Sequence, residues 1–285
     1  MQQRYYELAG IRFCIRVPDG VIWPQSQSLT NFTAEPGPCD LECVLSLVDA
    51  LDQPVGELCF EDPSTRVYLS PGVHLRYKGA VQSGTNGGYM RILRKGSRSD
   101  IQILASAIPH GLTSEVIISC MEAIHHISAG GGFLLHASWI RYKDKAILFT
   151  APSGTGKSTQ AALWEQLRGA ELINGDRAAV FSTADGIQVR GIPFCGTSGV
   201  CKNVTVPLAA VVYLAQAPET TICRLTGAKA FRQIWEGCCV NTWNSEDMEL
   251  CAQAVSDTVS QIPVFYLACT PDESAVLALE KEGVF

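Results

Sequence analysis

The stretch with the most chemistry in it is Ala146-Ile-Leu-Phe-Thr-Ala-Pro-Ser-Gly-Thr-Gly-Lys-Ser-Thr-Gln160. An apolar run delivers the chain to a loop in which Gly154 and Gly156 allow backbone angles that turn successive N–H groups inward. The spacing is that of a phosphate loop: Gly or Ala, four residues, then Gly-Lys-Ser/Thr, with Ala151 in the first position. The loop comprises Pro152, Ser153, Gly154, Thr155, Gly156, Lys157, Ser158 and Thr159. Its amides and the positive start of the following helix would hold the phosphates of a nucleotide. Lys157 would place a charge at the β and γ phosphates, and the Ser158 hydroxyl would complete a Mg²⁺ site. A chance Gly/Ser turn would not need a strand before it and an uninterrupted helix after it.

Other residues gather around this loop by their place in the chain. Leu172-Ile-Asn-Gly-Asp-Arg177 is a short buried run ending in Asp176. A carboxylate at such a strand end holds Mg²⁺ directly or through water, the alternative being an ordinary turn or cap aspartate. His136 lies on the strand before the phosphate-loop strand, and a hairpin of the two around Arg141–Lys145 brings it near the loop. A lone His in an apolar strand is ordinarily a core residue. Arg190 ends a strand and opens the loop Gly191-Ile-Pro-Phe-Cys-Gly-Thr-Ser-Gly199. There Arg190 or Lys202 would neutralise charge on a transferred phosphoryl group, or Arg190 is a surface cation beside a turn.

These residues need a frame, and the hydrophobic patterning supplies one. Strands are expected over 133–140, 146–150, 171–174, 178–181, 187–190, 204–215 and 263–269, with helices over 158–168, 246–261 and 271–281. That is an α/β (α+β) fold with a mixed sheet over 113–285, preceded by a smaller β-rich region over 1–112. In the latter, Ile11–Val17 and Val73–Tyr77 alternate in hydrophobicity, and Glu35–Pro38 and Asp62-Pro-Ser mark turns. Ser83–Gly88 reads as a hairpin connection. The basic run Arg91, Arg94, Lys95 and Arg98 reads as a solvated strand and turn. Thr113 to Ile127 has one apolar helical face, with Thr113 or Ser114 as cap, a glycine stop after Ala129, and His125 and His126 as helix-end residues.

Composition narrows the classes. The 285 residues carry 28 acidic and 22 basic side chains, a net charge of −6, which disfavours a general nucleic-acid binder. No run approaches the roughly 20 apolar residues of a membrane span, and the N-terminus lacks a signal-like apolar core, so a cytoplasmic protein is expected. The 12 cysteines lack zinc-type pairing with histidine and read as structural reduced thiols.

At Leu135-His136-Ala137, Ala151–Ser158, Leu172–Arg177 and Gln188-Val-Arg190-Gly191 the sequence resembles the C-terminal domain of HPr kinase/phosphorylase and its P-loop relatives. That superfamily is related to ATP-dependent phosphoenolpyruvate carboxykinase. The resemblance covers about residues 130–281. It implies an ATP- and Mg²⁺-dependent kinase acting on a hydroxyl, Ser/Thr of a peptide or protein or a small molecule. By that resemblance His136 lies near the phosphates, and Lys157, Asp176 and Arg190 carry the chemistry. A homo-oligomer is also compatible with it. Two positions depart from the family: Gly175 stands where the first of two acids is usual, and Gln188 stands where a Glu is usual. The family's proton-accepting acid is therefore missing, leaving His136 or Asp176 for that task. A non-catalytic or regulatory ATP-binding module, and a partner-binding role for the β-rich half, are the competing readings.

Overall fold

A computed structural model describes residues 1–79 and 88–283. The chain divides into two compact units, Met1–Ala123 and Ile124–Phe285. The hairpin connection expected over 83–88 falls, apart from Gly88, outside the described residues.

The first unit is built on one sheet. Its strands are Gln2–Leu8 (β1), Ile11–Val17 (β2), Thr33–Ala34 (β3), Leu41–Val48 (β4), Glu57–Asp62 (β5), Thr65–Ser70 (β6), Val73–Lys78 (β7), Met90–Lys95 (β8) and Arg98–Leu104 (β9). They lie in the order β3-β1-β2-β4-β9-β8-β7-β6-β5. Pairing is antiparallel except for β2–β4 and β4–β9. A short helix, Gln27–Thr30 (α1), follows β2, and Ser114–Cys120 (α2) closes the unit. Thr113 caps α2, its hydroxyl accepting from Val116 N at 3.3 Å. The helix belongs to this unit because Lys78 Nζ donates to Ser119 Oγ at 2.9 Å and Cys43 Sγ donates to the Cys120 carbonyl at 3.2 Å.

Two expectations fail here, and both involve Glu122. The helix expected over 113–127 is broken, α2 being followed by a separate helix, Ala123–Ala129 (α3). At the break Glu122 takes a left-handed φ of 43°. Its buried carboxylate lies 3.3 Å from both Arg76 and Arg94. The basic run is correspondingly not solvated throughout: Arg91 and Arg94 are buried while Lys95 and Arg98 are exposed. Periodicity alone sees the apolar stripe and not the charge that must turn inward to meet two buried guanidiniums.

The second unit holds Gly132–Tyr142 (β10), Lys145–Thr150 (β11), Lys157–Arg168 (α4), Glu171–Asn174 (β12), Arg177–Thr183 (β13) and Gly186–Arg190 (β14). It continues with Thr205–Gln216 (β15), Thr221–Leu225 (β16), Gly227–Trp235 (α5), Cys238–Cys239 (β17), Ser245–Gln261 (α6), Val264–Cys269 (β18) and Glu273–Lys281 (α7). Its sheet is mixed. β11, β15 and β18 run parallel, β10 flanks β11 antiparallel, and β16 flanks β18 antiparallel. β11 is thus central and buried on both faces, as its continuous apolar run requires.

One face of β11, with Ile147 and Phe149, packs with Ala161 and Trp164 of α4 and Val276 and Leu279 of α7. The other, with Ala146 and Leu148, packs with Ile234 of α5 and Cys251 and Val255 of α6. Trp164 is almost wholly buried, and truncating such a residue costs about 3–5 kcal/mol. α4 ends at Gly169, whose left-handed φ of 66° and amide bond to the Glu165 carbonyl close the last turn. In the same turn Arg168 pairs with Glu280 at 2.7 Å, fastening α4 to α7. These packings fix the helix whose first turn meets the phosphate loop.

Candidate functional site

In parallel sheets, ligands are taken at the carboxyl ends of the strands. Here those ends are Thr150, Gln216 and Cys269, and the loop 151–156 follows the first of them. Gly154 and Gly156 adopt φ of 79° and 117°, angles that L side chains resist. Gly156 is the N-cap of α4, and no side chain caps that helix start. The N–H groups of the first helical turn are therefore left for an external acceptor. Gln216 Nε2 braces the loop from β15, donating to the Thr155 carbonyl at 3.4 Å.

Lys157 is buried, its Nζ donating to the carbonyls of Ala151 at 3.0 Å and Pro152 at 3.3 Å. Burial pulls its pKa below the ordinary lysine value, with Asp176 opposing. Ser158 and Thr159 are exposed in the first turn of α4.

The hairpin of β10 and β11 pairs Ala137 with Thr150, and β10 pairs His136 with Arg177 of β13. His136 is thereby fixed beside Asp176. Its backbone N–H donates to the Gly237 carbonyl at 2.8 Å, and its own carbonyl accepts from Thr150 Oγ1 at 3.0 Å. The ring Nδ1 is 3.1 Å from the Asp176 carbonyl oxygen and 3.5 Å from Asp176 Oδ1. A carbonyl only accepts, so Nδ1 carries the proton, and in the neutral ring Nε2 keeps its lone pair. Burial is the largest force lowering the His136 pKa, helped by the Lys157 charge and opposed by Asp176. The carbonyl contact makes Nδ1 the proton-bearing nitrogen, and burial disfavours the charged ring.

Asp176 also meets Arg177, whose Nε lies 3.2 Å from Oδ2 and whose guanidinium stacks on Phe194. The loop 191–199 presses on this strand end. A Cβ at Gly196 would stand 2.8 Å from Asp176 Cβ, and one at Gly175 would stand 2.2 Å from Ser198 Oγ. The space of the acid that the resemblance leads one to expect at 175 is therefore filled by Ser198.

Arg190 and Lys202 each meet another side chain. The Arg190 guanidinium lies over the Phe181 ring, 4.4 Å from its centroid, and Lys202 pairs with Glu171 at 2.7 Å. Arg177, one residue past Asp176, is the cation in contact with that carboxylate. The structure thus brings together Lys157, His136 and Asp176.

Three clefts border the phosphate loop, one of them a shallow one over Ser153, Gly154, Thr155 and Gln216. Another, of about 360 Å³, lies between Gly154–Gly156, Thr159 and Gln160 on one side and Leu214–Ala217 and Cys269–Pro271 on the other. The third, about 310 Å³, is lined by His136, Pro152, Tyr213, Glu236 and Cys239 among others. Glu236 caps the end of α5 and Cys239 lies in β17, elements the hydrophobic patterning did not single out. The signal was present in Ala230, Phe231, Ile234 and Trp235, apolar pairs at helical spacing.

No group of three or more His, Cys, Asp or Glu side chains that could hold a metal exists among the described residues. The oxygen donors present, the Ser158 hydroxyl and the Asp176 carboxylate, suit Mg²⁺, which takes few protein ligands and completes its shell with phosphate oxygens and waters. No described helix is long and apolar enough to cross a membrane.

No family model matches the sequence, and no curated protein does. Among solved structures, the Hpr(Ser) kinase/phosphatase from Coxiella burnetii aligns with 53% of this chain and 90% of its own. Identity is 11% and the TM-score 0.30. So loose an overlap says nothing about activity, and function must be argued from the site.

Proposed function

We propose that the chain is a Mg-ATP-dependent kinase that transfers the γ-phosphoryl group to a hydroxyl, of Ser/Thr in a peptide or protein or of a small molecule. The observation that carries this reading is the uncapped start of α4, with Lys157 in its first turn and the His136–Asp176 pair at the neighbouring strand end. The loop amides bind the triphosphate tail. Lys157 exchanges its bonds to the Ala151 and Pro152 carbonyls for phosphate oxygens. Mg²⁺ held by Ser158 and Asp176 would supply neutralisation of phosphate charge.

The acceptor oxygen forms its bond to the γ-phosphorus as the bond to the β–γ bridging oxygen breaks and ADP departs. The hydroxyl proton passes to His136 Nε2, while the Asp176 carbonyl holds Nδ1–H and so the tautomer. Such transfer relies mainly on positioning and electrostatics, so the glycine at 175 does not forbid it. The larger cleft has the place of a base site.

One observation favours a second reading, a regulatory module that binds ATP without turnover: Ser198 occupies the space of the missing acid. Incubating the full chain with γ-labelled ATP, Mg²⁺ and a panel of Ser/Thr peptides and small alcohols separates the two. Transfer that Asp176→Asn and His136→Gln each abolish supports the kinase. ATP binding with no labelled product supports the module.

A further inference from the structure

Resting on the phosphotransfer reading, we propose that the cleft on the Thr150 side of the phosphate loop is the acceptor site and that Glu236 selects the acceptor. It favours an alcohol bearing a nitrogen donor beside its hydroxyl, an amino alcohol or a serine or threonine residue, over one bearing a carboxylate.

The cleft has room for a residue-sized molecule, about 310 Å³, and shares Pro152 and His136 with the phosphate-loop edge. Glu236 is the acidic side chain that lines it, with no Lys or Arg among the described lining residues, while the charges of Lys157 and Arg177 reach its His136 wall. At the Glu236 end an anionic group would therefore meet repulsion, and a cation or N–H donor a partner.

The carboxylate is held but not used up. Glu236 Oε1 takes Arg232 Nε at 3.0 Å. Oε2 takes Gln233 Nε2 at 3.3 Å and the Tyr213 hydroxyl at 3.5 Å. Those two contacts are long, and each carboxylate oxygen accepts two good hydrogen bonds. Arg232 is 78% and Glu236 40% exposed, so solvent screens the pair and Arg232 offsets the Glu236 charge only in part. Tyr213 remains a phenol, because burial raises its pKa and the Glu236 charge raises it further.

Position ties the carboxylate to the chemistry. Glu236 follows the last residue of α5, and the carbonyl of the next residue, Gly237, accepts the His136 amide. Selector and proton acceptor thus hang on one hydrogen-bonded stretch of backbone. Lys157 gathers phosphate at one end while Glu236 gathers positive charge at the other, so an amino alcohol enters with its hydroxyl toward the γ-phosphate.

The test uses the full chain with Mg-ATP and four probes: ethanolamine, L-serinamide, ethylene glycol and glycolate. Label transfer from γ-labelled ATP and the rise in melting temperature with each probe are both read. In wild type, the nitrogen-bearing alcohols should be preferred over glycolate by about tenfold or more in kcat/KM, the worth of one hydrogen bond to a charged group. Glu236→Gln should bring that ratio to within about threefold of one, and Tyr213→Phe should lie between. Melting and circular dichroism establish first that each variant is folded.

An equal ratio in wild type and Glu236→Gln, a preference for glycolate, or neither stabilisation nor transfer with ethanolamine or L-serinamide overturns the proposal. If L-serinamide stabilises wild type but not Glu236→Gln while no label moves, the selectivity stands and the phosphotransfer reading falls. If label moves equally well in wild type and Glu236→Gln, phosphotransfer stands and the selectivity falls.

Discussion

Replacing Gly175 by alanine should destabilise the second unit, and replacing Ser198 by glycine in the same molecule should remove most of that cost. A Cβ at 175 would stand 2.2 Å from Ser198 Oγ and 2.5 Å from Ser198 Cβ, with the Cys195 carbonyl oxygen next at 3.7 Å. A rotamer change moves Oγ but not Cβ, so the turn at 196–198 must shift. That turn is held by Ser198 Oγ, which donates to the Cys195 carbonyl at 2.7 Å and accepts from Val200 N at 3.1 Å. Overpacking of this kind costs about 1–3 kcal/mol. Ser198→Gly alone gives up two hydrogen bonds at an exposed site, about 0.5–1.5 kcal/mol. In the double variant both close atoms are gone, and the coupling should be about 1–2 kcal/mol in favour of the pair. Denaturant unfolding followed by tryptophan fluorescence reads it, since Trp139, Trp164, Trp235 and Trp243 all lie in this unit. If Gly175→Ala is neutral, or costs as much beside Ser198→Gly as alone, the steric account of the missing acid is refuted.

Three further outcomes are expected. Glu122→Ala should destabilise the first unit by about 3–5 kcal/mol in denaturant melts, because Arg76 and Arg94 keep buried charges without their shared carboxylate. Lys78 is pushed down to about 8, chiefly by burial and then by Arg76. The unfolded chain therefore binds the extra proton between about pH 8 and 10.5, stability rises with pH across that window, and Lys78→Met should flatten the rise. The His136 pKa lies below 6.5 through burial first. The unfolded chain takes up the proton more readily, so stability falls as pH drops below about 6.5, and His136→Gln should remove that part of the acid limb.

The strand–loop–helix around Lys157 was legible because all of its determinants are local: an apolar run, two glycines and a helix with no breaker. His136 became legible through the β10–β11 hairpin, whose short connection makes antiparallel pairing the natural outcome. Asp176 followed from a strand end. Glu236 follows apolar pairs that mark a helix, but what brings it to the site is β17, two residues long, pairing with Leu134 and Leu135 far away in sequence. No local pattern announces such a pairing. The break at Glu122 was hidden, since it answers arginines on β7 and β8 rather than the helix's own apolar face. The stacking of the Arg190 guanidinium on Phe181 is a contact that no local pattern announces.

Phosphotransfer at this site requires the loop from Pro152 to Thr159 to grip a triphosphate. Calorimetric titration of ATP, ADP and AMP into the full chain with Mg²⁺, for wild type and Lys157→Ala, tests this most directly. ATP should bind saturably and at least about tenfold tighter than AMP, and Lys157→Ala should weaken ATP by a similar factor, as loss of a charge-assisted contact requires. Equal affinity for ATP and AMP, or an unchanged ATP isotherm in Lys157→Ala, would contradict it.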